Sequence, residues 1–122
     1  MSRGLQLVDG NNSAIYMATG KLTKIKDALL IINAPLNNFT VSNVGNYTGL
    51  LCMIRVNNKG VCIFWCDTSP TNVTKTLIAG LQDAMDVVTI TANGNGSFTF
   101  TTPTENTVTG KILALAESAS IS

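Results

Sequence analysis

The chain has 122 residues, 45% of them apolar and 12% charged, with no histidine and a formal net charge of +1. The missing histidine excludes any mechanism that needs an imidazole base or ligand, and the near-neutral balance offers no electrostatic footprint for nucleic acid. The charged share is about half the usual ~25%, while 13 Asn and 16 Thr supply much of the polarity.

Residues 1–12 show no core-like periodicity beyond Leu5, Leu7 and Val8, and they end in the turn signal Asp9-Gly10-Asn11-Asn12. They are expected to form an N-terminal arm ahead of a single β domain at 13–122, a size within the usual domain range. From there, short runs rich in Thr, Val, Ile and aromatics alternate with Asn, Gly, Asp and Pro, the punctuation of an all-β chain. Ten strands are predicted, at 14–18, 21–26, 28–33, 38–44, 49–56, 60–67, 73–79, 86–92, 97–102 and 109–116. A turn signal about every ten residues fits an antiparallel β-sandwich or jelly-roll-like barrel of about 8–10 short strands.

The first firm hairpin joins Leu50–Val56 to Val61–Cys66 through Asn57-Asn58-Lys59-Gly60. Gly60 suits the left-handed position of a bulged turn. With a three-residue loop, Cys52 is expected opposite Cys66; with two or four, opposite Trp65. Both strands are apolar on both faces, so the hairpin is expected at the centre of a sheet, with Arg55 needing solvent or a partner. Next, Leu77, Leu81 and Met85 at i, i+4 and i+8 suit a short helix, which Gly80 weakens.

The second hairpin joins Val87–Ala92 to Ser97–Thr101 through Asn93-Gly94-Asn95-Gly96. Val88, Ile90, Ala92, Phe98 and Phe100 point to a core, and the intervening threonines to solvent. The stretch 112–117 has helix propensity, but alternation on both sides of it favours a strand.

Chemistry-bearing constellations are sparse. Cys52, Cys62 and Cys66 sit in apolar runs and read as buried thiols. A zinc site wants four ligands, and Cys62 and Cys66 on one strand would stand about 13 Å apart, so no metal, cofactor or catalytic group is expected. Asp83 and Asp86 read as turn formers, and Gly94-Asn95-Gly96 as a hairpin turn rather than a phosphate loop. The longest apolar run, Ala28–Ile32, is far short of the ~20 residues that span a membrane. No secretory signal precedes it, so a cytoplasmic origin is expected. Arg3, Lys21, Lys24 and Lys26 form the one basic cluster. Residues 1–61 hold six basic and two acidic side chains, and residues 62–122 two and five.

The Asn/Thr-rich, low-charge β composition, the short leading arm and the alternating stretch Gly110–Ser122 together resemble small structural proteins of tailed bacteriophage virions: head-decoration, head-fibre and tail-fibre proteins. That resemblance implies a non-enzymatic protein, made in the host cytoplasm, that trimerises on the particle. Scarce surface charge independently favours an oligomer. The leading expectation is a capsid-decoration protein whose contacts with a capsid or other virion protein come from Arg3, Leu5, Leu7, Val8, Lys21 and Lys24. The alternative is a fibre module that recognises host carbohydrate through Tyr47 beside Asn46, and through Tyr16.

Overall fold

The computed structural model describes residues 5–7, 15–18, 22–25, 28–45, 47–114 and 119–122. Their elements, in order, are β1 (Leu5–Leu7), β2 (Ile15–Ala18), β3 (Leu22–Ile25), β4 (Ala28–Leu36), β5 (Asn38–Ser42), β6 (Thr48–Val56), β7 (Gly60–Thr68) and β8 (Val73–Gly80). Then follow α1 (Gln82–Asp86), β9 (Thr89–Ala92), β10 (Phe98–Thr101), β11 (Val108–Ala114) and β12 (Ser120–Ile121). Every pairing is antiparallel, and the strands form three sheets. These are β1-β2-β3, β12-β5-β10-β9 and β4-β11-β6-β7-β8.

Each of the ten predicted strands is represented, positions 14, 21, 26, 115 and 116 lying outside the described residues, and the total among the described residues reaches twelve because the short pieces Leu5–Leu7 and Ser120–Ile121 also pair. The first of these gives the N-terminal segment a strand of its own, with Leu5 opposite Met17 and Leu7 opposite Ile15. β4 runs past Asn33 through Pro35. Proline is tolerated there because β4 is an edge strand, and its register with β11 shifts over the same stretch. Asp86 closes α1 rather than opening β9.

The four- and five-stranded sheets pack as a β-sandwich. Alternation supplies the two inner faces. The five-stranded sheet contributes Leu30, Ile112, Leu50, Cys52, Ile54 and Phe64, among others, and the four-stranded sheet Phe39, Val41, Phe98 and Phe100. Phe39 and Phe100 stack with centroids 4.8 Å apart. Complete burial of a Phe or Leu side chain stabilises the fold by about 1.5–3 kcal/mol.

Between β8 and β9 the chain turns at Gly80 (φ +94°) and enters α1, whose Ala84 and Met85 are buried. Thus 77–85 is half strand and half helix, with the left-handed glycine dividing them. Lys75 on β8 donates its ammonium to the carbonyls of Met85 (2.9 Å) and Val88. A cation there answers the partial negative charge at a helix C-terminus.

Asparagine amides secure the loops. Asn106, itself buried, donates to the Asn57 carbonyl (2.9 Å), and Asn57 donates to that of Glu105 (3.1 Å). Asn37 donates to the carbonyl of Pro103 (2.7 Å). Neutral amides therefore do the crosslinking that charged pairs do elsewhere.

The register of the β6–β7 hairpin differs from both expectations. Val56 pairs with Gly60 across the three-residue loop Asn57-Asn58-Lys59, and Cys52 lies opposite Phe64. Paired positions in an antiparallel ladder keep a constant sum, so the Val56–Gly60 pair places Leu50, not Cys52, opposite Cys66. Asn58 (φ +65°) and Gly60 (φ +110°) both take left-handed conformations in this turn.

Candidate interaction surface

β6 and β7 are apolar on both faces, so burying one face in the sandwich presents the other outward. The registers align the outward side chains into rows across the sheet. One row runs Ile31, Lys111, Met53, Ile63 and Ala79; the next runs Leu29, Leu113, Leu51, Trp65 and Thr76. Ile31 is 55% exposed, Val61 56% and Ile78 58%, and Leu29 and Ile63 are also exposed. Single exposed apolar residues are ordinary, whereas this set is contiguous across the sheet.

A trough of about 460 Å³ crosses this face, bounded by Met53 and Ile63 on one side and by Arg55, Val61 and Thr109 on the other. Its floor is the backbone of the row Gly110–Ile54–Cys62–Gly80. Both end glycines have positive φ (+140° and +94°), and a Cβ on either would meet a β6 or β7 carbonyl oxygen at 2.4 Å. Only glycine fits these two positions, so the outer strands lie close against the central hairpin.

Charge on the face is confined to three described side chains, all exposed. Arg55 and Asp67 mark opposite ends of the central hairpin, and Lys111 stands between Ile31 and Met53. Toward the Asp67 end, the Trp65 indole lies over Gly49, where a Cβ would fall 1.9 Å from the ring. Gly49 is thus the slot that lets the large ring lie flat on the sheet.

The outer face of the four-stranded sheet is different. Thr99 pairs with Thr40 on one side and Thr91 on the other, and Thr101 with Asn38 and Thr89. The Thr40 and Thr99 hydroxyls are 3.1 Å apart, and the Asn93 amide donates to the Thr99 hydroxyl at 3.1 Å. This is the threonine-lined, solvent-facing side that alternation predicts.

The three cysteines are free and buried, as the sequence indicates. Cys52 and Cys66 occupy a diagonal of the ladder with their sulfurs 4.0 Å apart. Diagonal neighbours stand ~7–8 Å apart, beyond the usual Cα reach of a disulfide. The hydrogen bond with Cys66, together with burial, pushes the Cys52 thiol well above its ordinary pKa. Burial likewise pushes the Cys62 thiol up, against a smaller lowering by Lys75. Thiols held protonated this way are poor nucleophiles and poor ligands. Asp83 lies exposed in the first turn of α1, and Asp86 accepts from Gln82 at 2.8 Å. Among the described residues, no group of three or more Cys, Asp or Glu is placed to hold a metal, and no helix is long and apolar enough to cross a membrane.

Of the residues predicted to bind partners, Leu5 and Leu7 are alternate positions of β1, and Lys24 lies on β3. Arg3, Val8 and Lys21 lie outside the described residues. Of the carbohydrate candidates, Tyr47 is 82% exposed. Tyr16 is on β2, in register with Gln6 and Lys24, and Asn46 lies outside the described residues. The apolar outer face was not among the predicted sites. Its signal was the two-faced pattern of β6 and β7, but the rows across strands emerge only from the registers. Comparison of the chain with protein-family models, curated proteins and solved structures found no match.

Proposed function

We propose that this chain is a non-enzymatic structural protein of a virus particle, one that decorates and stabilises a capsid and works as an oligomer. The observation that supports this reading is the apolar outer face of the five-stranded sheet, carried by a chain with little charge to keep it solitary. Catalysis needs converging polar groups around a reacting atom, whereas this face offers aliphatic and aromatic side chains over a broad, shallow area. Contact with the capsid is assigned to the N-terminal segment, with Leu5, Leu7 and Val8 packing on the partner and Arg3, Lys21 and Lys24 meeting acidic capsid surface. Its site of action would be the virion, after synthesis in the host cytoplasm. Co-sedimentation with undecorated capsids tests the assignment. Deleting residues 1–12 is expected to abolish binding, and undiminished binding overturns the docking role.

A second reading rests on the exposure of Tyr47. An aromatic ring standing free on a loop can stack on a sugar ring, as a fibre module recognising host carbohydrate would require. Glycan-array binding that disappears in Tyr47→Ala supports this reading, and a blank array removes it.

A further inference from the structure

The outer face of the five-stranded sheet has a complementarity that names its own occupant. Arg55 and Asp67 lie one strand apart and six residues apart along the hairpin. At ~4.8 Å between strands and ~3.3 Å per residue, that separation is about 20 Å, too far for the two to pair within one chain. The apolar rows lie between them. A two-fold axis in the plane of the face, running across the strands between the Met53–Ile63 row and the Leu51–Trp65 row, exchanges the two ends of the hairpin. It sets Arg55 of one copy against Asp67 of another, twice by symmetry, and lays Ile63 over the second copy's Trp65.

We infer that this face is an isologous dimer interface, in which two copies pack sheet on sheet and close two Arg55–Asp67 ion pairs at its ends. Three further considerations favour a second copy over an unrelated protein. First, superposing Asp67 on Arg55 requires the axis to tilt by roughly 15° from the perpendicular to the strands. The strands of the two copies then cross at roughly 30°, the magnitude at which twisted sheets pack aligned. Second, five strands over about seven residues give a plan area of roughly 550 Å². Side-chain relief carries the accessible area above that, toward the ~800 Å² per partner of a standard interface. Third, a closed two-fold covers both copies' faces at once and leaves no apolar face to propagate a filament. Lys111 is the one cation among the apolar rows. It lies one strand from the β4 edge, so its stem can lie on the interface while its ammonium reaches water.

This inference builds on the oligomer in the proposed function and gives it a two-fold rather than the three-fold symmetry that the virion resemblance implies. It is testable without any capsid. Light scattering of the full chain is expected to give twice the 12.9 kDa chain mass. Arg55→Asp and Asp67→Arg are each expected to weaken the dimer about tenfold or more, because each places like charges together. Mixed in equal amounts, the two variants are expected to recover a dimer, since every end pair is again of opposite sign. That recovery also demonstrates that both variants fold. A monomeric wild-type chain, a mass of three chains, or a dimer indifferent to both reversals would overturn the inference. A mixture that stays monomeric would overturn the two-fold register. A dimer that ignores capsids would sink the docking role and leave the interface standing, and a monomer that binds capsids would do the reverse.

Discussion

The two sheets of the sandwich are alike inside and opposite outside. Inward, each presents phenylalanine and branched aliphatics: Phe64, Leu50 and Ile112 from one, Phe39, Phe98 and Phe100 from the other. Outward, the four-stranded sheet carries Thr40, Thr91 and Thr99, while the five-stranded sheet carries Ile31, Val61 and Ile63. Threonine and isoleucine are both β-branched and suit a strand about equally well, so strand formation does not explain the difference. On the interface inferred above, what separates them is the environment each face meets. Hydroxyls remain hydrated, and aliphatic side chains are stabilised by leaving water.

Substitutions can break or sharpen that contrast, and the largest effects belong where the sheets are alike. Phe64→Ala and Phe100→Ala, one on each inner face, are each expected to cost about 3–5 kcal/mol, measured by urea unfolding. A clear inequality would show that one sheet carries the core. Gly49→Ala must displace the Trp65 ring from the apolar outer face. A loss of about 1–3 kcal/mol and a shift in tryptophan emission are expected, and an unchanged spectrum would disprove the flat seating of the ring.

Smaller effects separate the outer faces. Ile63→Lys and Thr91→Lys are both exposed-site changes and should each alter chain stability by about 0.5 kcal/mol or less when measured at concentrations too low for association. Only Ile63→Lys should reduce self-association, as read by sedimentation velocity; equal effects from the two would erase the contrast. A last effect concerns pH. With no histidine, stability should be nearly flat from about pH 6 to 8. The buried Cys52 and Cys62 thiols hold their protons above the ordinary thiol range. The unfolded chain therefore ionises first, and stability should fall as pH rises past about 8.5. Denaturant midpoints measured across that range test the sign, and a rise in stability on the alkaline side would contradict it.

Much of the fold was legible because alternation is local. The Thr/Phe pattern of β9 and β10 specified both faces of the four-stranded sheet, and the two-faced β6–β7 hairpin specified its own central position. What escaped lay in turn geometry and in non-local contacts. The register at Cys52 depended on which residues closed the loop, and Asn58 took a left-handed conformation that its sequence allows but does not demand. No local pattern places Lys75 beside the carbonyls of Met85 and Val88. Nor does any local pattern bring the Asn106 amide to the Asn57 carbonyl. The outer face was half legible: the hairpin announced a second apolar side, but only the partner strands show that β4, β8 and β11 extend it without covering it.

The place of β11 bears on how the molecule is made. This strand, at 108–114, lies between β4 and β6, two strands finished more than fifty residues earlier. A ribosome adding about 5–20 residues per second takes several seconds to travel from the end of β6 to the end of β11. From residue 80 onward the β6–β7–β8 meander is complete, while the edge of β6 that will pair with β11 remains open. Such an edge invites pairing with a neighbouring chain. Folding of the five-stranded sheet is therefore a late event in synthesis, and nascent chains on one message would gain from being kept apart until residue 114 has emerged.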